Sequence, residues 1–256
     1  MLGVIGVGAI GAAIVSGLSE GGEPPEILLS PRSAAVVARL AASYPNVRVM
    51  ESNQAVVEQS SVVLLCVRPA DAPGVISQLT FRSQCLISVM AGVPLKVLRE
   101  LAAPVQNIVR AIPLPSVAVR RGITPLYPPT EPARPLFESL GCVIEVADET
   151  AFDHFSAATA TIAAHFLYLN QISHWLAAQG ISPSEARRYV AAMFGELAAS
   201  LQGPDPDFGK LAREHATPGG INEFFCRVLS DEGVWNAVDS GLDRVRQALA
   251  DRQGGL

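Results

Sequence analysis

Charge is scarce in this 256-residue chain: Asp, Glu, Lys and Arg make up 17% of it, and lysine occurs only as Lys96 and Lys210. With 19 basic against 24 acidic residues, a net charge of -5 and no basic run, the sequence lacks the cationic surface that nucleic acid requires, and no such partner is expected. Cysteine is sparse too. Cys66, Cys85, Cys142 and Cys226 stand far apart with no Cys-x-x-Cys pair, which excludes a disulfide framework and points to free thiols in a reducing, cytoplasmic setting. The four histidines show no i, i+4 pairing and no neighbouring carboxylate cluster of ligand type, so no metal is expected.

What the chain has instead is apolar side chains: 49% hydrophobic residues and a mean hydropathy of +0.31. Two stretches imitate membrane segments. Residues 1 to 19 carry no charge, but they lack a positive leading region and hold Gly3, Gly6, Gly8 and Gly11. Phe155 to Ser184 runs thirty residues without Asp, Glu, Lys or Arg, yet contains His165, Asn170, Gln171, His174 and Gln179, which are costly in lipid. No membrane association is expected; a helix buried inside protein, against a partner subunit, is.

The first half alternates short β-branched runs with Ala-rich stretches of helix length. Leu2 to Gly6, Glu26 to Leu29, Val47 to Met50, Ser61 to Val67 and Cys85 to Val89 read as strands of a parallel sheet, extended by Val105 to Ile112, Ile123 to Tyr127 and Val143 to Val146. From about Asp148 only helical spacing remains, broken at Gly180 to Pro183, Gly203 to Asp207, Thr217 to Gly220 and Asp231 to Gly233. The expectation is an α/β fold: a Rossmann-type dinucleotide-binding domain over 1–147, followed by an all-helical dimerisation and substrate domain over 148–256.

Gly6-Val7-Gly8-Ala9-Ile10-Gly11 follows the first strand and opens a helix. In that context Gly6 permits a tight turn, Gly8 lets backbone approach a pyrophosphate, and Gly11 allows close helix packing, with the helix N-terminus facing the phosphates. The second strand ends in Ser30-Pro31-Arg32-Ser33, with a guanidinium where an acid would accept from a ribose hydroxyl. Arg32 can fork onto a 2′-phosphate, with Ser30 and Ser33 donating further bonds, so NADPH is the expected cofactor.

Added to these, Val67-Arg68-Pro69, Ser88-Val89-Met90-Ala91-Gly92, Val109-Arg110-Ala111-Ile112-Pro113 and Thr217-Pro218-Gly219-Gly220 occur in an order that resembles the pyrroline-5-carboxylate reductases, which use NADPH to reduce a cyclic imine to proline. The resemblance runs from residue 1 to about residue 240. It implies a homodimer or higher homo-oligomer joined through the helical domain. It also implies that Val67, Arg68, Pro69, Ala91 and Gly92 line the nicotinamide side, and that Thr217, Gly219, Gly220 and Asn222 hold the substrate. The chain departs from the family pattern in three places. Leu114-Pro115-Ser116 stands for Asn-Thr-Pro, Ile162 to Tyr168 keeps only the tyrosine of Ser-Gly-Ser-Gly-Pro-Ala-Tyr, and Ile221-Asn222 stands for Thr-Thr.

Reducing C=N needs a hydride on carbon and a proton on nitrogen. His165, at the altered segment, is the expected proton donor, and Tyr168, at i+3, shares its face and can donate a bond. Glu223 is read either as attracting a cationic amine or as an acid at a helix start. A β-hydroxyacid dehydrogenase would need a lysine on the first long helix, and Phe155 to Ser184 has none. A deazaflavin-linked NADP oxidoreductase and a non-catalytic NADPH-binding dimer remain the alternatives.

Overall fold

The computed structural model describes residues 1–201 and 207–254. Its strands are β1 (Leu2–Ile5), β2 (Ile27–Leu29), β3 (Val47–Val49), β4 (Val62–Leu65), β5 (Cys85–Ser88), β6 (Ile108–Ala111), β7 (Gly122–Tyr127) and β8 (Gly141–Glu145). The helices are α1 (Ala9–Ser19), α2 (Ala34–Ser43), α3 (Asn53–Glu58), α4 (Ala72–Ile76), α5 (Leu95–Leu101), α6 (Ala133–Glu138), α7 (Glu149–Ala158), α8 (Thr161–Ala178), α9 (Pro183–Ser200), α10 (Phe208–His215), α11 (Ile221–Asp231) and α12 (Val234–Gly254). All eight expected strands form. The expected helical break from Gly203 lies, up to residue 206, outside the described residues.

Two compact units emerge: Met1–Ser156 with the chain from Arg246 onward, and Ala157–Val245. The first unit thus runs past the expected boundary at 147 and takes in most of α7. Its sheet has the order β3-β2-β1-β4-β5-β6-β7-β8. Successive side chains of a strand point to opposite faces, and here both faces are covered. Leu2 and Val4 of β1, Ile27 and Leu29 of β2, Leu64 of β4 and Ile87 of β5 enter one core layer with Ile14 and Val15 of α1. Ile5, Leu28, Val63, Leu65 and Leu86 enter the other with Val56 of α3, Ile76 of α4 and Leu98 of α5. Each such side chain contributes about 1.5–3 kcal/mol of burial.

Two strands, β7 and β8, depart from the expected parallel arrangement. β7 runs antiparallel to β6, with Arg110 opposite Tyr127, and β8 then runs parallel to β7. The link from β6 to β7 holds only a 3-10 turn, Pro115–Val119, and parallel neighbours need a helical crossover.

In the second unit the uncharged stretch proves to be more than one helix. α7 ends at Ala158, where the Thr161 hydroxyl donates to the Ala158 carbonyl at 2.8 Å, and α8 begins anew. Threonine hydroxyls compete with the helix ladder in this way. α8 packs on α9 through Ser173, Ala186 and Val190, which are buried. At the start of α9 the Ser182 hydroxyl accepts from the Glu185 amide and donates to the Glu185 carboxylate. Most of α8 is uncovered in the single chain: Phe166 is 64% exposed, Leu167 68% and Trp175 60%. The burial of this helix expected from the sequence is thus not met within the single chain. No helix among the described residues is long and apolar enough to cross a membrane.

Candidate functional site

The order of the sheet reverses between β1 and β4, and open α/β sheets bind ligands at the carboxyl ends of strands flanking such a switch. Four of the expected segments follow those ends: 6–11 after β1, 30–33 after β2, 67–69 after β4 and 91–92 after β5. Gly6 adopts φ +88°, and a Cβ there would lie 2.7 Å from Val67 Cγ1 and 2.9 Å from the Val67 amide, so Val67 walls the turn from beneath. Gly11 sits 3.0 Å, at its would-be Cβ, from the Gly6 carbonyl, which draws α1 tight against the turn. Gly8 differs: it caps α1, and a Cβ there would meet nothing within 4 Å. Ala9, Ile10 and Gly11 form the first turn of α1, which carries no acidic side chain and no side-chain cap. The open space at Gly8 and these leading amides fit an anionic pyrophosphate.

Ser30 is buried and its Oγ accepts from the Gly6 amide at 3.0 Å, so it shapes the turn from within. Ser33 caps α2 through its backbone, and its hydroxyl bonds to no described residue. Arg32 and Arg68, from the ends of β2 and β4, meet on one carboxylate that sequence reasoning missed. Arg32 Nη1 lies 3.5 Å from Asp71 Oδ2, while Arg68 donates from Nε to Oδ2 at 3.0 Å and from Nη2 to Oδ1 at 3.1 Å. The Arg68 bonds, ahead of Arg32, hold the Asp71 carboxyl below its ordinary range. The spacing Arg68-Pro69-Ala70-Asp71 was the available signal, since i, i+3 places opposite charges together on a helical turn.

Beyond β5, Ala91 is exposed and Gly92 turns at φ +74°, its would-be Cβ 3.2 Å from Leu249 Cδ2 of α12. Under the glycine turn, burial pushes the Cys66 thiol up to about 12, and that of Cys85 up to about 11. The folded chain therefore keeps two protons that the unfolded chain releases above pH 9, and stability falls as pH rises from 9. Urea midpoints at pH 8 and pH 10 test this: the drop should shrink in the Cys66→Ala/Cys85→Ala variant.

β6 presents a second cluster absent from the sequence reading. Arg110, 1% exposed, donates from Nη1 to Glu149 Oε1 and from Nη2 to Asp153 Oδ1, each at 2.8 Å, and lies 4.5 Å from the Phe152 ring centroid. Glu149 Oε1 also accepts from the Leu95 amide at 2.7 Å, at the start of α5. The network ties the head of α7 to the sheet, and a lone arginine in the apolar strand Ile108–Ala111 was its only sequence signal.

In the helical unit His165 and Tyr168 do share a face. Both rings meet Phe194 of α9 edge-on, at centroid distances of 6.1 and 5.9 Å. The imidazole nitrogens of His165 bond to no described residue. Partial burial, then the nearby Cys226, raises the Tyr168 hydroxyl above its ordinary value, so it stays a donor at neutral pH. Thr217, Gly219, Gly220 and Asn222 form the turn between α10 and α11. Gly220 donates to the Thr217 carbonyl at 2.8 Å, Asn222 Nδ2 donates to the His215 carbonyl at 3.0 Å, and Glu223 Oε2 accepts from the Gly219 amide at 2.7 Å. Asn222 and Glu223 thus close the turn on itself, and Glu223 takes the helix-start role.

Comparison with known proteins adds two family matches. Residues 1–92 match the family described as NADP oxidoreductase, coenzyme F420-dependent, and residues 149–251 match pyrroline-5-carboxylate reductase dimerisation. A pyrroline-5-carboxylate reductase of Corynebacterium melassecola is 26% identical over 97% of this chain and 96% of its own length. Two solved structures share the fold. The 1-pyrroline-5-carboxylate reductase of Streptococcus pyogenes has a TM-score of 0.81 at 24% identity, covering 97% of each chain. Pyrroline carboxylate reductase of Plasmodium falciparum with NADP bound has a TM-score of 0.80 at 18% identity, covering 98% of this chain and 97% of its own.

Proposed function

Because the chain belongs to the pyrroline-5-carboxylate reductase family, we propose that it reduces 1-pyrroline-5-carboxylate to proline with NADPH as cofactor, as a cytoplasmic homodimer or higher homo-oligomer. The observation that carries this reading is the cradle after β1, where Gly8 leaves open the space before the N-terminus of α1. When bound, NADPH supplies a hydride to the imine carbon. The leading amides of Gly8, Ala9, Ile10 and Gly11 hold the pyrophosphate, while Arg32 and Ser33 face the 2′-phosphate. Val67, Pro69, Ala91 and Gly92 follow the ends of β4 and β5 and bound the crevice there, while the Arg68 side chain reaches back toward Arg32 at the end of β2 through Asp71.

His165 delivers the proton to the imine nitrogen, and Tyr168 donates a bond beside it. Their common backing by Phe194 fixes both rings, and the imidazole nitrogens of His165, which bond to no described residue, leave it available. The substrate's own recognition falls to the turn of Thr217, Gly219, Gly220 and Asn222. The uncovered apolar residues of α8, together with Phe224, Phe225 and Trp235, support an interface with a second copy.

Following NADPH absorbance with 1-pyrroline-5-carboxylate and a panel of other cyclic imines tests the reading. Tight NADPH binding without turnover of any imine would leave a non-catalytic dimer. The match over residues 1–92 favours one further reading, a deazaflavin-linked NADP oxidoreductase, so a reduced deazaflavin with NADP+ belongs in the panel. His165→Ala should lower kcat/KM at least tenfold and flatten its pH profile between pH 6 and 8, effects of the size expected for a general acid. A change within about threefold across that range removes the assignment.

A further inference from the structure

Arg32 and Arg68 leave the ends of two strands that flank β1 on either side, and their guanidiniums converge on Asp71. The two arginine side chains are 62% and 79% exposed, that of Asp71 only 25%, so the cations are open to a ligand while the carboxylate lies between them. Guanidinium forks suit carboxylate and phosphate oxygens alike, because both anions offer paired acceptors to parallel N–H donors. A phosphate monoester carries about -1.5 to -2 charges at neutral pH. The same pair of arms can therefore hold either the internal carboxylate or an external phosphate, and a carboxylate left in place repels the phosphate. A ribose bearing a free 2′-hydroxyl meets neither effect.

We infer that Arg32 and Arg68 form a two-armed site for the 2′-phosphate of NADPH and that Asp71 is an internal competitor which weakens that site. The inference rests on the NADPH reading above and sets Arg68 beside the 2′-phosphate, away from the nicotinamide. Asp71 thereby limits the preference for NADPH over NADH. It also limits the salt dependence of binding, since removing its charge exposes two net cations to the phosphate.

Equilibrium binding of NADPH and NADH, followed by calorimetry without imine, tests this independently of turnover. Asp71→Asn keeps the side chain's size and removes its charge. It should tighten NADPH at least threefold, leave NADH within about twofold, and steepen the loss of NADPH affinity between 50 and 300 mM salt. Arg68→Met should weaken NADPH about tenfold and abolish the gain when combined with Asp71→Asn. Weaker NADPH binding by Asp71→Asn, or an equal change for both cofactors, overturns the inference. Asp71→Ser, checked for the same unfolding temperature as the parent, guards against a folding artefact. A parent protein that binds NADH as well as NADPH overturns the cofactor reading itself, whereas a preserved preference with an inert Asp71 overturns only the competitor role.

Discussion

Arg110→Met should lower the free energy of unfolding by about 3 kcal/mol and the midpoint of thermal unfolding by roughly 6–12 °C. Arg110 is buried to 1%, and its two 2.8 Å bonds join Glu149 and Asp153, which lie 39 and 43 residues further along the chain. Charge-assisted bonds contribute about 1.5–3 kcal/mol each, and methionine restores neither these nor the stacking on Phe152. It also leaves two carboxylates facing each other without the cation between them. The loss stays below the upper end for buried pairs because Arg110 Nε bonds to no described residue, and the carboxylates keep part of their water. Adding Glu149→Gln and Asp153→Asn should recover most of the loss. Neutral amides need no cation, and the carboxamide oxygen introduced by Glu149→Gln can still accept from the Leu95 amide. Chemical denaturation of the single and triple variants checks both statements. A single-variant loss under about 1 kcal/mol would show that the network does not hold α7.

Gly8→Asp should leave the unfolding temperature within about 2 °C and weaken NADPH binding at least a hundredfold, about 2.7 kcal/mol. The two halves of this expectation come from the same geometry. A Cβ at Gly8 meets nothing within 4 Å, and an aspartate at a helix N-cap is favourable for the helix, so the fold has no cause to suffer. The space the side chain fills is the space before the leading amides of α1, and its charge has the sign of the pyrophosphate. Gly6→Ala provides the contrast. With φ +88° and Val67 at 2.7 Å, it should destabilise the fold as well as the binding. Calorimetric titration beside thermal unfolding separates the two. Intact NADPH affinity in Gly8→Asp would place the cofactor elsewhere.

The strands were legible because buried parallel strands are short apolar runs between turn residues, and every expected run formed one. The reversal of β7 was not, since composition carries no strand direction. It follows from the missing crossover helix in 112–121, a feature visible in the sequence but easily passed over among the prolines. Phe155 to Ser184 read as one buried helix because hydropathy averages over the Ala158 to Thr161 break, where a single threonine hydroxyl diverts a carbonyl. The glycine turn was legible from local order alone. Asp71 and the partners of Arg110 were not, because each pairing depends on strand ends or elements brought together by the sheet rather than by adjacency in sequence. The bond from Asn222 to the His215 carbonyl, which closes the turn, was likewise not legible from sequence.

The proposed reaction is hydride transfer from the nicotinamide to an imine carbon. Turnover of 1-pyrroline-5-carboxylate with NADPH carrying deuterium at both C4 positions, read by mass spectrometry, tests it directly. Proline one mass unit heavier, with the deuterium on the carbon bonded to nitrogen that was the imine carbon, is the predicted product. Proline without deuterium, or no proline from a protein that binds NADPH and is fully folded, would contradict it.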